Sequence, residues 1–221
     1  INDNQYIQLD SFKSQNKIKK EKSLLEIKEH IIDNQKGLRY KIPNIKIFKG
    51  NNYILLGESG CGKTTLIQTV LGLPSKFNFR SKAIFKLTTN KIAYMSNEHE
   101  LEFGQIKDFF DFDTKNFNYK LCQNLINKFS LKGRIPNIKT FKKIELKNLS
   151  NGQRVRVRLI SELLKEPDII IIDESFSSLD KKTSYKCIET INLLFPDISI
   201  LLIDHSNNFQ SCKNFNISKL I

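Results

Sequence analysis

The last third of the chain alternates between short apolar runs and longer amphipathic stretches. The apolar runs cover residues 169–172 and 198–203, and the amphipathic stretches cover 151–164 and 182–194. Four apolar residues in a row, without polar alternation, are typical of a strand buried on both faces of a parallel sheet. We therefore predict an α/β fold in which helices cover a mostly parallel sheet.

The first half of the chain predicts mainly strands. Residues 24–32 and 42–48 are rich in apolar and β-branched side chains, and a turn signal lies between them at 34–37. A helix is predicted at 63–71, because Gly72 and Pro74 follow it as a stop signal. After this helix we predict two short strands, at 83–87 and 91–95, and a helical region at 105–131.

The opening of the chain has a different composition. Residues 1–23 are polar and charged, and the chain begins with Ile1 instead of Met. We predict that this segment is a linker and that the chain belongs to a longer polypeptide. The apolar runs are far shorter than the roughly 20 residues that cross a bilayer, so no membrane helix is predicted within the sequence.

The chain is basic, with a formal net charge of +13 and a pI near 9.5. Such a charge permits contact with nucleic acid or with an acidic membrane surface. The lysines are spread along the whole chain, which argues against a dedicated nucleic-acid surface. The four cysteines occur singly, so the sequence predicts neither a zinc site nor a disulfide framework and favours a reducing compartment.

Residues 57–65 carry the strongest chemical signal. They read GESGCGKTT and match the phosphate-binding pattern G-x-x-x-x-G-K-[ST] between a predicted strand and a predicted helix. Glycines allow the backbone N–H groups to turn toward a phosphate, and the helix start adds its positive dipole end. An ordinary glycine-rich turn is the alternative. The predicted nucleotide-binding residues are Gly57, Glu58, Ser59, Gly60, Cys61, Gly62, Lys63, Thr64 and Thr65.

Within this loop, three side chains have expected partners on the nucleotide. Lys63 is expected to reach the β- and γ-phosphates, Thr64 to ligate magnesium and Thr65 to support the α-phosphate.

An acidic pair, Asp173 and Glu174, ends the apolar run at 169–172. The carboxyl ends of parallel strands form the ligand-binding edge of an open α/β sheet. Asp173 is therefore a candidate for holding magnesium, and Glu174 for orienting or deprotonating a water molecule. The alternative is a strand that simply ends in charged residues on entering a loop.

The stretch 149–154 reads LSNGQR and opens a predicted helix. Ser150 followed by Gln153 fits a capping box, and Val155, Leu159 and Leu163 form an apolar stripe. One interpretation is a well-capped core helix. The other is a second phosphate-binding surface made by the free N–H groups of the helix start.

These motifs resemble, in order and spacing, those of ABC ATPases. The stretch LSNGQ is similar to the family signature LSGGQ, with Asn151 in place of one glycine. Ser178-Leu-Asp180 resembles the D-loop, and His205 after the run 198–203 resembles the switch histidine. The stretch 92–97 occupies the place of the Q-loop, and Gly104-Gln-Ile106 resembles the segment that follows it in exporters.

The resemblance implies a P-loop NTPase of ABC type. Its expected form is a mostly parallel sheet core with an N-terminal antiparallel β part and a helical subdomain at about 98–165, all within an ATPase domain at 24–221. ATP and Mg²⁺ are the implied cofactors. The implied catalytic residues are Glu174 and His205, the implied metal residues are Thr64, Asp173 and Asn97, and the implied D-loop residue is Asp180.

The family pattern also implies a dimer. Two ATPase domains pair head to tail, as a homodimer or a heterodimer, so that the signature of one copy caps the phosphates held by the other. Closure of the pair is expected to power transport through a transmembrane domain in the same full-length chain, on the cytosolic face of a membrane. No specific nucleic acid is expected. The signature residues acting in trans are Leu149, Ser150, Asn151, Gly152 and Gln153.

An alternative from a different class of function is a soluble ABC ATPase that acts on ribosomes or nucleic acid. The basic charge would suit it. Ribosome-associated members usually carry two such domains in one chain, and DNA-repair members insert a long coiled coil between the phosphate loop and the signature. This chain has one domain and a short connection, which favours the transporter.

Four positions depart from the family or stand out within it. Asn97 replaces the Q-loop glutamine, and Asn151 adds a side chain to the signature turn. No aromatic residue falls at the usual adenine-stacking position, with Tyr40 the nearest candidate.

The short connection between Lys63 and Asn97 is similar to that of subfamily D and of bacterial peptide-uptake relatives, within an exporter-like group. Cys61, beside Lys63 at a helix start, is predicted to be accessible and thiolate-like.

Overall fold

The computed structural model describes residues 22–33, 39–73, 85–96 and 104–205 apart from positions 111, 113, 116, 132, 134 and 136, together with 209 and 212–219. No helix within these ranges is long and apolar enough to cross a membrane.

The helices of the structure are α1 (Lys63–Val70), α2 (Tyr119–Lys128), α3 (Ile138–Lys142), α4 (Asn151–Leu163) and α5 (Lys181–Leu194), with 3-10 turns at Ile106–Phe109, Leu146–Asn148 and Ser175–Ser178. Its strands are β1 (Leu25–Ile27), β2 (His30–Asp33), β3 (Arg39–Ile42), β4 (Ile45–Ile47), β5 (Asn52–Leu56), β6 (Phe85–Leu87), β7 (Ile92–Ser96), β8 (Ile169–Asp173), β9 (Ser199–Ile203), β10 (Lys213–Asn216) and β11 (Ser218–Lys219).

Five parallel strands form the central sheet, in the order β10-β5-β9-β8-β7. The register sets Ser96 opposite Asp173, Asp173 opposite Ile203, and Ile203 opposite Leu55. The carboxyl ends of four neighbouring strands therefore meet at one edge, and the loop after β5 leaves from that edge. The predicted mostly parallel sheet is confirmed.

Strand β8 shows why the run at 169–172 lacks polar alternation. Ile169 and Ile171 pack into the cluster that includes α1, whereas Ile170 and Ile172 pack into the cluster that includes α4 and α5. Successive side chains of a strand point to opposite faces of the sheet, so a strand covered on both sides is apolar at every position.

The first part of the chain forms two small antiparallel sheets. Strand β1 pairs with β4 and β6, and strand β3 pairs with β2 and β11. The strand predicted at 24–32 is divided by Lys28 and Glu29 into β1 and β2. Pro43, which has no N–H to give to a ladder, separates β3 from β4. The turn predicted at 34–37 lies outside the described residues.

The helical prediction at 105–131 is wrong over its first half. Among the residues described in this range, a 3-10 turn at Ile106–Phe109 and helix α2 are helical, and α2 starts where the Asn118 side chain accepts a hydrogen bond from Leu121 N. In between, aromatic rings pack on one another, with Phe112 contacting Phe110, Phe117 and Phe141. Burial of these rings, a tertiary effect, outweighs local helix propensity.

Strands β10 and β11 were not predicted. Strand β10 pairs with β5 along the outer edge of the central sheet, and three of its four residues are exposed. The segment Lys213–Asn216 is polar and has only one large apolar residue, Phe215, which stacks on Tyr53. An edge strand of this kind lacks the apolar pattern that reveals a central strand.

Candidate active site

The loop predicted to hold phosphate lies between β5 and α1. Gly60 and Gly62 adopt φ angles of 76° and 98°, which residues with a Cβ rarely reach. Gly62 is the N-cap of α1. Because glycine has no side chain to cap the helix, the first N–H groups of α1 remain available to an anion, and the positive end of the helix dipole lies at the same point.

Lys63 starts α1 and turns back into this loop. Its side chain is only 4% exposed, and Nζ donates to the carbonyl oxygens of Gly57 at 2.8 Å and Glu58 at 3.1 Å. Nζ also lies 3.2 Å from Nδ1 of His205. An ammonium group can only donate, so Nδ1 is the acceptor and the proton of the neutral imidazole is on Nε2.

His205 connects Lys63 to Glu174. Its Nε2 lies 2.5 Å from Oε1 of Glu174, and with its proton on Nε2 the ring donates to that carboxylate. Lys63, His205 and Glu174 thus form one hydrogen-bonded chain that joins the loop to the ends of β8 and β9. The side chains of His205 and Glu174 are 43% and 38% exposed, so both are reachable from solvent.

Glu174 has an unusual backbone conformation. Its φ is 53°, in the left-handed region, and it caps the 3-10 turn Ser175–Ser178. Such a conformation costs a non-glycine residue roughly 1–2 kcal/mol. Its N–H donates to Ile203 O at 3.1 Å, which holds the turn against β9. The turn directs the Glu174 side chain away from the path of β8 and toward His205.

Asp173 is buried at the end of β8, directly before Glu174. Its Oδ2 accepts a hydrogen bond from the Tyr94 hydroxyl at 3.0 Å, whereas its buried Oδ1 has no hydrogen-bond partner among the described residues. Burial raises the pKa of Asp173, and the neighbouring hydroxyls of Thr64 and Tyr94 oppose this rise. A buried carboxylate oxygen without a partner, beside a threonine hydroxyl, is an all-oxygen donor set of the kind that Mg²⁺ requires. The residues therefore fit the implied ion.

The signature stretch lies at the start of α4. The predicted capping box is present, since Ser150 Oγ accepts from Gln153 N at 3.4 Å and Gln153 Oε1 accepts from Ser150 N at 3.0 Å. Ser150 and Asn151 are exposed, and Leu149 is buried. A Cβ on Gly152 would lie 3.3 Å from Ser178 O, so the signature rests against the turn that follows Glu174.

Asp180, the predicted D-loop residue, is the N-cap of α5. Its carboxylate accepts hydrogen bonds from Thr183 N at 2.9 Å and from Thr183 Oγ1 at 2.6 Å. These hydrogen bonds hold its pKa below the ordinary value. Asp180 therefore fixes the start of α5 within its own chain, whatever further role it has.

The prediction for Cys61 is wrong. The thiol is buried under the loop, and burial raises its pKa because this effect outweighs the charge of Lys63. A Cβ atom added to Gly57 would come within 2.8 Å of Cys61 Sγ. Cys61 is therefore a packing residue that also excludes a side chain at position 57.

Two further expectations concern Tyr40, the candidate for stacking on adenine, and Asn97, the Q-loop residue. Tyr40 is 3% exposed and packs in the cluster below the loop, so its ring offers no free face to adenine. Asn97 lies outside the described residues, which end at Ser96 on this side.

Two residues in the site were missed from the sequence. Tyr94 contacts Asp173 across the sheet, and Arg158 on α4 donates to the carbonyl oxygens of Ser96 at 2.7 Å and Tyr94 at 3.0 Å. Tyr94 and Ser96 are polar residues at alternate positions near the end of a strand, which is a weak signal for a polar face. Nothing in the sequence paired that face with Asp173, because the pairing depends on strand order.

A family model described as ABC transporter matches residues 40–177, more than half of the chain. This chain belongs to the ABC transporter family. It is an ABC ATP-binding domain and an ATPase, which confirms the predicted fold class and enzyme class. Subfamily D stays a prediction.

Individual relatives of this ABC ATPase include importers and exporters. The Microcin-J25 export ATP-binding/permease protein McjD of Escherichia coli is 27% identical over 77% of this chain, which spans only 31% of McjD. The zinc import ATP-binding protein ZnuC of Rickettsia bellii is 29% identical over 81% of this chain and 76% of its own length. None of these names supports the ribosome or nucleic-acid alternative.

A solved ABC transporter in an inward-facing conformation has the same fold. It aligns with a TM-score of 0.64 and 17% identity, covering 90% of this chain and 84% of that chain.

Proposed function

We propose that this ABC ATPase binds ATP with Mg²⁺, pairs head to tail with a second ABC ATPase domain, and hydrolyses ATP to power transport through a transmembrane domain. The observation that carries the proposal is the hydrogen-bonded chain of Lys63, His205 and Glu174 next to buried Asp173. This arrangement brings a cation, a proton carrier and two carboxylates to the edge of the sheet where the phosphate loop ends.

In the proposed reaction, the phosphates of ATP lie on the N–H groups of the loop and on Lys63. A water molecule attacks the γ-phosphorus, the bond to the bridging β–γ oxygen breaks, and the water proton passes to Glu174. His205 donates to the γ-phosphate as charge develops on its oxygens. The proton that Glu174 accepts is then released to solvent, which leaves ADP and inorganic phosphate as products.

Thr64 and Asp173 are proposed to hold the magnesium ion. When bound, the ion would neutralise charge that develops on the phosphate oxygens. Asp173 supplies the buried oxygen described above, and Thr64 supplies a hydroxyl at the start of α1. Asn97 is proposed as a further ligand through its side-chain amide oxygen.

The signature residues are proposed to act on a second copy. Ser150 and Asn151 are exposed, while Lys63 and Asp173 are buried at the phosphate loop and at the end of β8. An exposed helix start with free N–H groups is suited to an anion that another chain presents. Pairing through this surface supports a composite site made by two domains.

The transmembrane partner is proposed by similarity to the relatives. McjD is named as a combined ATP-binding and permease protein, and ZnuC as a separate ATP-binding protein. We propose that the domain works at the cytosolic face of a membrane, with the transmembrane domain in the same full-length chain. We propose that ATP-driven closure of the pair is the coupling step, whether the cargo is imported or exported.

The test is Glu174→Gln, which keeps the size and hydrogen-bonding capacity of the side chain but removes the base. We expect turnover to fall by roughly 10²–10⁴-fold, the contribution typical of a general base. Dimerisation in the presence of ATP and Mg²⁺, followed by light scattering, should persist or increase.

Glu189→Gln is the matched control, because Glu189 is an exposed glutamate on α5 and is not one of the predicted site residues. Its turnover should match that of the unchanged protein. Normal turnover in Glu174→Gln would overturn the assignment of the base, and loss of ATP-driven dimers in both proteins would overturn the pairing.

A further inference from the structure

Five polar side chains meet between helix α1 and the central sheet. Thr64 and Gln68 lie four residues apart and therefore face the same side of α1, while Tyr94 and Ser96 lie two residues apart and share one face of β7. Asp173 stands opposite Ser96 in the register of β7 and β8, on that same face. In an otherwise apolar layer, this polar group needs internal hydrogen bonds.

Tyr94 is at the centre of the group. Its hydroxyl donates to Asp173 Oδ2 at 3.0 Å, and Ser96 and, from α1, Gln68 are polar neighbours of the same side chain. The Tyr94 hydroxyl therefore links α1 to Asp173.

The position of Tyr94 is itself held from the opposite face of the sheet. Arg158, on α4, donates through two nitrogens to the carbonyl oxygens of Ser96 and Tyr94. Charged donors on backbone acceptors form strong and well-oriented hydrogen bonds. The end of β7 is thus fixed by a side chain from a different layer of the fold.

A carboxylate with one oxygen held can turn only a little about its last side-chain bond. With Oδ2 on Tyr94, the partnerless Oδ1 is the oxygen of Asp173 that is left for a cation. We propose that Tyr94 is a positioning residue that fixes the orientation of Asp173 for magnesium. This inference rests on the proposed function, since it assumes that Asp173 serves the metal.

The decisive variant is Tyr94→Phe, which removes one oxygen atom and keeps the ring. ATP binding is measured by calorimetry in two conditions, with Mg²⁺ and with EDTA, and the Mg²⁺ concentration that gives half-maximal hydrolysis is measured separately. Loss of an outer hydrogen-bond partner typically weakens metal binding about 10-fold to 100-fold, so we expect the half-maximal Mg²⁺ concentration to rise by about tenfold. Affinity for ATP in EDTA should be unchanged.

Tyr53→Phe is the matched control. Tyr53 is also a tyrosine of the central sheet, in strand β5, and its hydroxyl accepts a hydrogen bond from Phe48 N at 2.9 Å. Both variants remove a partly buried hydroxyl that makes a hydrogen bond, so both lose stability. Only Tyr94→Phe should change the magnesium requirement.

The possible results separate this inference from the function on which it rests. If magnesium does not strengthen ATP binding in the unchanged protein, the proposed magnesium-dependent function fails. If magnesium strengthens it there and Tyr94→Phe has the same magnesium requirement, the positioning role fails. Equal weakening in Mg²⁺ and in EDTA would reduce Tyr94 to a structural residue and would likewise overturn the proposal.

Discussion

The two surfaces that we propose to face phosphate are built in opposite ways. The loop side places Lys63 and Asp173 in the interior and connects them to Gly57, His205 and Tyr94 by hydrogen bonds. The signature side exposes Ser150 and Asn151 at the start of α4.

This difference shows which side depends on its own chain. Buried charged groups need partners at fixed positions, and the loop side finds them among residues far apart in sequence. The signature side needs only a capped helix start, which the Ser150 and Gln153 pair provides locally. Because the start of α4 needs no further partner from its own chain and is exposed to solvent, it is suited to bind a second molecule.

The strongest test of this difference uses two variants, one damaged on the loop side and one damaged on the signature side, which are then mixed. Lys63→Ala removes the cation from the loop side. Ser150→Asp keeps the N-cap, because aspartate is as good a cap as serine, but it places a negative charge against phosphate. Each variant alone should lose nearly all turnover.

The mixture should recover activity if the site is shared between chains. Random pairing makes half of the dimers mixed, and each of these has one intact site of two, so an equal mixture should reach about a quarter of normal turnover. Ser150→Asn, a neutral cap, is the control and should keep turnover far better than Ser150→Asp. A mixture as inactive as its components would show that one chain supplies both sides.

A second prediction concerns the connection between the two sides within one chain. Arg158→Ala removes two charge-assisted hydrogen bonds to β7, so the free energy of unfolding should fall by roughly 2–4 kcal/mol. Urea unfolding measures this change. Lys165→Ala, just beyond the end of α4, is the control, because the Lys165 side chain is 62% exposed and its ion pair with Glu162 is worth little. Equal destabilisation by both changes would contradict the linking role of Arg158.

A third, smaller effect tests the interior of the loop side. Cys61 is buried with a raised pKa, so alkylation by a maleimide should be slow in the folded protein at neutral pH. Mass spectrometry after timed labelling, with a urea-unfolded sample as the reference, measures the rate. ATP should slow it further by closing the loop. Labelling as fast in the folded as in the unfolded sample would show that the thiol is exposed.

The smallest expected effect concerns Asp180. Because hydrogen bonds from Thr183 lower its pKa, its contribution to stability is present above the pKa of the unfolded chain and is lost as pH falls through the folded value. Asp180→Asn keeps a neutral cap and should therefore lose less stability between pH 7 and pH 3. The midpoint of thermal unfolding at several pH values measures this difference, and identical acid sensitivity of the two proteins would count against the cap.

Local patterns predicted much of this molecule. The parallel sheet followed from uninterrupted apolar runs, and the capping box of α4 followed from two residues three positions apart. The Lys63, His205 and Glu174 chain depends on the ends of three strands and could not be measured from spacing alone. Cys61 was misjudged for a related reason: its neighbours in sequence predicted a low pKa, but its neighbours in space decided the opposite.

Strand β10 has a consequence for the order in which the domain is made. Strand β5, which leads into the phosphate loop, pairs on its two sides with β9 and β10. Both partners come from the last part of the chain. At ordinary rates of protein synthesis they are made on the order of ten seconds after β5. The phosphate loop can therefore assume its final form only when translation of the domain is almost complete, and an incomplete chain should have little affinity for ATP.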